Sequence, residues 1–192
     1  MNDSNLKSDI KIINADILGK RYSFYTDSGV FSKDKADYGT KFLLNTLVIH
    51  KECGKILDLG CGYGLVGVVL GSIYKDCDID MVDVNERAVM LSKKNIELNM
   101  VNNSRVFVSD VYSNLSSKYD YIITNPPIRA GKEVVKRFLF GSYNYLKDDG
   151  ELWFVMRKDH GVKSMMGILE ECFNVEVIKK DKGFYVVRAF KK

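Results

Sequence analysis

Apolar residues recur along this chain in two rhythms, short alternating runs and longer stretches at helical spacing, and their order predicts an architecture. From about residue 10 to 25, the alternation in Lys11-Ile12-Ile13 and Tyr22-Ser23-Phe24 predicts two short strands around a turn at Leu18-Gly19-Lys20. Phe42, Leu43, Leu47 and Val48 predict a helix within about 35–50. The strand Ile56-Leu57-Asp58-Leu59 then enters a glycine-rich loop and a helix carrying Leu65, Val66, Val68, Val69 and Leu70. Beyond it the pattern alternates: strand 78–82, helix 86–100, strands 106–108 and 119–124, helix 132–145, strand 151–156 and helix 162–172. Two last strands, 175–179 and 184–190, flank the turn Lys180-Asp181-Lys182-Gly183 and are expected to be antiparallel.

Strands alternating with helices of this length predict an α/β fold, a doubly wound, largely parallel sheet covered on both faces. Counted out, the core is a seven-stranded mixed sheet with a short N-terminal hairpin in front. The chain is expected to be one domain over 1–192, with 1–30 as the N-terminal extension and 31–192 as the catalytic core.

Composition narrows the class only modestly. No apolar run approaches the roughly 20 residues that span a bilayer, and the polar start MNDSNLKSDI lacks the centre of a signal peptide, so a cytoplasmic protein without membrane partners is expected. Cys53, Cys61, Cys77 and Cys172 form no CxxC pair and the histidines are His50 and His160, which points to reduced structural thiols and no metal site. A formal charge of +4 permits a nucleic-acid partner without requiring one.

The candidate chemistry lies at strand ends, because ligands of doubly wound sheets bind outside the carboxyl ends of the strands. In Lys55–Gly67, KILDLGCGYGLVG, glycines at 60, 62, 64 and 67 suit a backbone that must approach a ligand closely before a helix N-terminus. Gly62-x-Gly64-x-x-Gly67 satisfies a dinucleotide fingerprint, and Asp83 follows at about 20 residues, where an acid accepts from ribose hydroxyls. Asp110, in Val108-Ser109-Asp110-Val111, ends the third strand and suits an adenine amino group. The loop alone leaves NAD and S-adenosylmethionine both open.

Thr124-Asn125-Pro126-Pro127-Ile128, after the strand Tyr121-Ile122-Ile123, discriminates between them. Two prolines fix the backbone and remove two N–H donors, leaving carbonyl oxygens and the Asn125 amide oxygen as acceptors on a rigid corner. Such a corner orients an aromatic amine so that its lone pair meets an electrophilic carbon, and the proton can leave afterwards.

DLGCGYGLVG, VDVNERAV, SDVY and NPPI, in this order, resemble the class I S-adenosylmethionine-dependent methyltransferases, in the branch that methylates exocyclic amino groups. FYTDSGVFSKDKADYGTKFLL and NPPIRAGKEVV resemble more particularly the small methyltransferase domain of bacterial 16S ribosomal RNA guanine-N2 methyltransferases. The resemblance implies a Rossmann-like fold in which Asp58 and the backbone of Gly60, Cys61, Gly62 and Gly64 hold the methionine part of the cofactor. It implies Asp83 on the ribose, Val84 against the adenine, and Asp110 with Val111 around its amino group. Asn125, Pro126 and Pro127 become the catalytic corner. Ile128 departs from the branch, whose adenine-N6 and glutamine methyltransferases usually carry Tyr or Phe there, and Phe31 is the expected replacement for that stacking ring.

The reading is an N-methyltransferase acting in rRNA processing on N2 of a guanine, on ribosomal RNA or the small ribosomal subunit, as a monomer or homodimer. Phe31, Ile128, Arg129 and Lys132 are its expected substrate contacts, and Lys33, Lys35, Lys41, Lys136 and Arg137 join them as RNA-facing cations. Adenine-N6 and protein glutamine-N5 methylation are the alternatives within the class. More remote is an NAD-dependent oxidoreductase, for which a Tyr-x-x-x-Lys pair would be needed to assist hydride transfer.

Overall fold

The computed structural model describes residues 8–28, 30, 38–50 and 54–192. Its main sheet has seven strands: β5 (Ser104–Val108), β4 (Asp78–Asp83), β3 (Lys55–Leu59), β6 (Tyr119–Thr124), β7 (Leu146–Arg157), β9 (Phe184–Lys191) and β8 (Phe173–Asp181), in that spatial order. β9 runs against both its neighbours; the pairings among β5, β4, β3, β6 and β7 are parallel. This is the expected mixed α/β sheet, and its order reverses between β3 and β6. β1 (Lys11–Ile17) and β2 (Lys20–Thr26) form a separate antiparallel pair, as the N-terminal alternation predicts.

The strict two-residue period of the strands divides the core into two layers. Ile56, Ile79, Met81, Tyr121, Ile123, Trp153 and Val155 face α1 (Tyr38–Thr46), α2 (Leu65–Ile73) and α3 (Glu86–Leu98). Leu57, Leu59, Val82, Ile122, Leu152, Phe154 and Met156 face α4 (Lys132–Tyr145) and α5 (Val162–Leu169). β6 is buried at all six positions, as a central strand covered on both faces must be.

Several boundaries differ from expectation. β7 starts at Leu146, because Tyr119 pairs with Leu146 and Tyr121 with Glu151, so the polar Lys147–Gly150 stretch is an irregularity inside the ladder. α5 stops at Leu169 and the chain enters β8 at Phe173, earlier than the apolar pattern suggests. Cys61 and Cys172 are free thiols but Cys77 is disulfide-bonded, which no cysteine spacing in the sequence marks. Both hairpin turns put two left-handed residues between strands, Leu18 (φ 50°) with Gly19 (φ 77°) and Lys182 (φ 47°) with Gly183 (φ 80°), the geometry whose twist matches paired strands.

Polar side chains on α3 join the hairpin to the main sheet. Asn95 is wholly buried, its Oδ1 accepting from the Tyr25 N–H at 2.7 Å and its Nδ2 donating to the carbonyls of Tyr25 (3.0 Å) and Tyr63 (2.7 Å). One turn on, Asn99 donates to the Ser23 carbonyl at 2.9 Å. At the other end, the Arg87 guanidinium donates to the Ser28 carbonyl at 3.0 Å and lies 3.6 Å from the buried Asp27 carboxylate. Removing Asn95 strands three backbone polar groups away from water, so Asn95→Leu is expected to cost roughly 2–4 kcal/mol. A fall in the urea midpoint equivalent to less than about 1 kcal/mol would contradict that role.

Candidate functional site

The reversal between β3 and β6 opens a cavity of about 640 Å³ on the carboxyl rim of the sheet. Its walls come from the ends of β3, β4 and β6, the loop after β5, the start of α1 and the first turns of α4. A volume of this size suits a nucleoside-sized ligand.

The glycine loop forms the floor. Gly60 and Cys61 donate to the Val82 carbonyl, both at 2.9 Å, and bind the loop to the end of β4. Gly64 has φ 97°, so the chain turns into α2 through a conformation that side chains rarely adopt. Gly67 answers a different demand: a Cβ there would meet the Met81 sulfur at 2.4 Å, so its absence lets α2 approach β4. Gly60 is overlaid by the ring of Phe138 on α4, whose Cε1 would stand 2.9 Å from an added Cβ. From α3, Ser92 donates to the Gly62 carbonyl at 2.8 Å and Asn95 holds the next carbonyl along.

Two carboxylates meet this floor. The Gly64 cap position offers α2 no side-chain acceptor, and Asp58 supplies one from β3, its Oδ2 accepting from the Gly67 N–H at 2.9 Å. Asp58 is 2 % exposed; burial, aided by the nearby charge of Asp83, pushes its pKa up to about 7 despite that hydrogen bond. Asp83 accepts from the N–H groups of Gly62 and Asn85, each at 2.9 Å, and burial raises its pKa against those bonds. No basic side chain contributes to either shift. The pair makes a strongly negative pocket that favours a cationic group and a hydroxyl donor. Burial and the same two carboxylates raise the Cys61 thiol well above its usual range, so it stays protonated and is no nucleophile.

Beyond Asp83, Val84 lines the cavity with 63 % of its surface exposed, an apolar side chain presented to a flat partner. Ser109 shapes the next loop by donating to the Val111 carbonyl (2.9 Å) and accepting from the Asn114 N–H (3.1 Å). Val111 is thereby held at φ 54°, a left-handed conformation costly for a β-branched residue, while its side chain stays buried at the cavity wall. Asp110 lines the cavity too, its carboxylate bound by Arg137 of α4 at 2.8 Å.

Opposite stands the proline corner. Asn125, Pro126 and Pro127 all line the cavity, directly after β6. The Asn125 Nδ2 donates to the Thr40 hydroxyl on α1 at 3.0 Å, which turns the amide oxygen the other way. The chain after Pro127 tightens into a single 3-10 turn over Ile128–Ala130. After that turn Ile128 is half-buried against the α4–α5 side of the core and is not among the residues that line the cavity. Arg129 does line the cavity; Lys132 is exposed at the start of α4, outside its walls. Lys136 is paired with Glu133 at 3.1 Å and Arg137 with Asp110, so two of the expected RNA-facing cations have carboxylate partners at the surface. Lys41 is half-buried on α1. Phe31, Lys33 and Lys35 lie outside the described residues.

The chain does contain one Tyr-x-x-x-Lys pair, Tyr143 and Lys147, but it lies at the other end of the sheet. Lys147 is held by Asp120 near the start of β6 and Tyr143 packs on Phe173, remote from the cavity. Among the described residues, no helix is long and apolar enough to cross a membrane, and no cluster of three or more His, Cys, Asp or Glu is arranged to hold a metal.

Residues 21–188 match the family profile of the methyltransferase small domain. The uncharacterized protein YbxB of Bacillus subtilis is 46 % identical over 91 % of this chain and 89 % of its own length. Ribosomal RNA small subunit methyltransferase C of Erwinia tasmaniensis is 35 % identical over 85 % of this chain, which spans only 48 % of that protein. Among solved structures, the T. thermophilus 16S rRNA N2 G1207 methyltransferase RsmC, in complex with AdoMet and guanosine, superposes with a TM-score of 0.84 at 27 % identity, over 97 % of this chain and 52 % of that one. The chain thus spans about half the length of these larger relatives.

Asp58 makes the site costly to the fold. Its folded pKa of about 7 stands above the ordinary 3.8, so stability present in full below the lower value is lost as pH rises through the upper. Asp58→Asn keeps an acceptor for Gly67 and removes the charge. It is expected to stabilise the ligand-free protein at pH 8 by on the order of 2–4 kcal/mol, with the gain vanishing toward pH 4. Urea titrations at the two pH values measure it; equal gains at both would refute the shift.

Proposed function

We infer that this chain, which belongs to the methyltransferase small domain family, transfers a methyl group from S-adenosylmethionine to N2 of a guanine in small-subunit ribosomal RNA, in the cytoplasm. The observation that carries the reading is the placement of Asn125-Pro126-Pro127 on the wall of the same cavity whose floor is the glycine loop with Asp58 and Asp83. The site fits the cofactor on its own chemistry. Its buried carboxylate with no cation beside it suits an ammonium, Asp83 with its raised pKa suits ribose hydroxyls, and exposed Val84 suits an adenine face.

S-adenosylmethionine supplies a methyl group made electrophilic by a positive sulfur. The chain's part is to present the nitrogen. The amino group of guanine is conjugated with its ring and needs its lone pair turned toward the methyl carbon. The Asn125 amide oxygen and the Pro126 carbonyl accept its two hydrogens and stabilise the positive charge that grows as the new C–N bond forms. Electrons of the breaking C–S bond stay on sulfur, and the surplus proton leaves to solvent. No side chain is required as a strong base, consistent with a corner built of neutral acceptors.

Thr40 is the positioning residue, because its bond to the Asn125 Nδ2 fixes which end of that amide faces inward. Guanine is preferred as the target because the RsmC structure that superposes on this chain holds guanosine and because no aromatic residue stands at position 128 to favour adenine.

Asn125→Ala is expected to lower kcat by about 10²–10³ and Thr40→Val by roughly tenfold, with S-adenosylhomocysteine affinity unchanged in both. An unaltered kcat in Thr40→Val removes Thr40 from the mechanism. S-adenosylhomocysteine is expected to raise the melting temperature and NAD to leave it unmoved. Its affinity is expected to be level above about pH 8 and to fall about tenfold per unit below pH 7, because its ammonium requires ionised Asp58. Tritiated methyl transfer to ribosomal subunits, free rRNA, DNA and protein identifies the acceptor; label in protein alone overturns the RNA assignment.

A further inference from the structure

The main sheet does not end level at its carboxyl rim. β6 stops at Thr124, opposite Phe154, but β7 continues three residues further, to Arg157, paired there with Phe184 at the start of β9. At about 3.3 Å per residue, the β7–β9–β8 tip stands roughly 10 Å above the level of Thr124. α1, the helix from which Thr40 holds Asn125, packs against both β7 and β9 and so joins the tip to the cavity.

The chemistry of this wall differs from that of the rest of the rim. Tyr38, 38 % exposed at the first turn of α1, lies 5.5 Å from Phe184 and 6.0 Å from Phe42, ring centre to ring centre, so three rings make a continuous plate. Cations cover it: Lys182 is 4.8 Å above the Tyr38 ring, Arg157 5.4 Å above Phe184 and Lys179 6.0 Å above Phe42. Arg157 is paired with Asp159, and Asp181 accepts from the Tyr38 hydroxyl. Lys179 and Lys182 form no ion pair among the described residues, whereas Lys136 and Arg137 on α4 each face a surface carboxylate. Positive charge without a carboxylate partner among the described residues thus lies on the β8–β9 hairpin as well as on Arg129 and Lys132 beside the proline corner.

We propose that this tip, with Tyr38, is the docking wall for the RNA strand that flanks the target nucleotide. Interleaved aromatic rings and lysines suit a single strand, whose phosphates pair with ammonium groups and whose bases stack on exposed rings. A sheet edge that rises beyond the end of β6 would receive the nucleotides next to a base turned down into the cavity. Hairpin pairing holds the lysines in register. The inference rests on RNA being the substrate, and its test separates the two ideas.

The experiment measures methyl transfer to small-subunit rRNA across a salt series for the intact wild-type chain, K179E/K182E, Tyr38→Ala and K132E/K136E, with S-adenosylhomocysteine affinity as the check on folding. K179E/K182E is expected to raise the RNA KM at least about tenfold and to make the salt slope shallower by roughly 1.4, about 0.7 for each phosphate no longer neutralised. Tyr38→Ala is expected to raise KM about tenfold through the absence of stacking. In both, kcat at saturation and S-adenosylhomocysteine affinity stay at wild-type values, and K132E/K136E has the smaller effect. Wild-type KM and slope in K179E/K182E overturn the docking wall while leaving the RNA substrate standing, as does a larger loss in K132E/K136E. A wild-type chain that methylates no RNA overturns both.

Discussion

A carboxylate that the fold buries without a cation beside it is the constraint on which this structure turns. Asp58 serves the fold by accepting the Gly67 N–H at the start of α2, a bond its glycine cap cannot make. A neutral amide would do that at lower cost. The carboxylate stands with Asp83 at the floor of one cavity, and both are raised by burial rather than relieved by a basic neighbour. Ionised groups so placed destabilise the empty protein and favour whatever brings positive charge. Strain at Val111 has the same character: backbone free energy is spent where the cavity wall needs a shape. The remainder of the molecule has to hold these elements in place, which accounts for the polar hydrogen bonds buried around the loop.

That holding is the work of α3. Its buried stripe of Ala88, Val89 and Leu91 is interrupted by Ser92 and Asn95, both fully buried, and each takes a carbonyl of the glycine loop. Asn95 reaches Tyr25 on the other side, so the N-terminal hairpin and the loop share one anchor. The path continues through Arg87 to Ser28 and Asp27, and Val30 beyond them lines the cavity. The hairpin is thus tied through a single helix to the surface on which the methyl donor is expected to lie.

The strand-end chemistry was legible in the sequence because each of those residues is tied to a local pattern. A strand that ends in glycines, an acid about 20 residues on, and two adjacent prolines after an apolar run state their positions without any knowledge of packing. Ser92, Asn95, Thr40 and Phe138 carry no such local mark. A polar residue on an amphipathic helix faces solvent or the core according to a rotation of tens of degrees, and only the packed structure decides. A retrospective signal existed for α3, where positions 92 and 95 fall on the same face as the apolar 88 and 91. Ile128 shows the opposite case: its neighbours in sequence line the cavity, but after one tight 3-10 turn it packs, half-buried, against the core. On α4, charge is countable in a sequence whereas the pairing of Lys136 with Glu133 and of Arg137 with Asp110 is not.

The two sides of the cavity divide the labour in a way that bears on specificity. The floor is charged, buried and built from backbone N–H and C=O groups locked by α3, so it can discriminate by charge and by hydroxyl geometry. The proline corner is neutral and holds one orientable group, the Asn125 amide, set by Thr40. An amide so oriented accepts from any planar amine, whether on guanine, adenine or glutamine. Discrimination among acceptors must therefore come from outside the corner, from what brings the amine to it. In this chain the hairpin tip carries lysines and the exposed Tyr38 ring near that corner, and β7 runs on beyond Thr124 to reach it. On the docking proposal, lengthening or shortening that extension would shift the register between a docked strand and the acceptor pair.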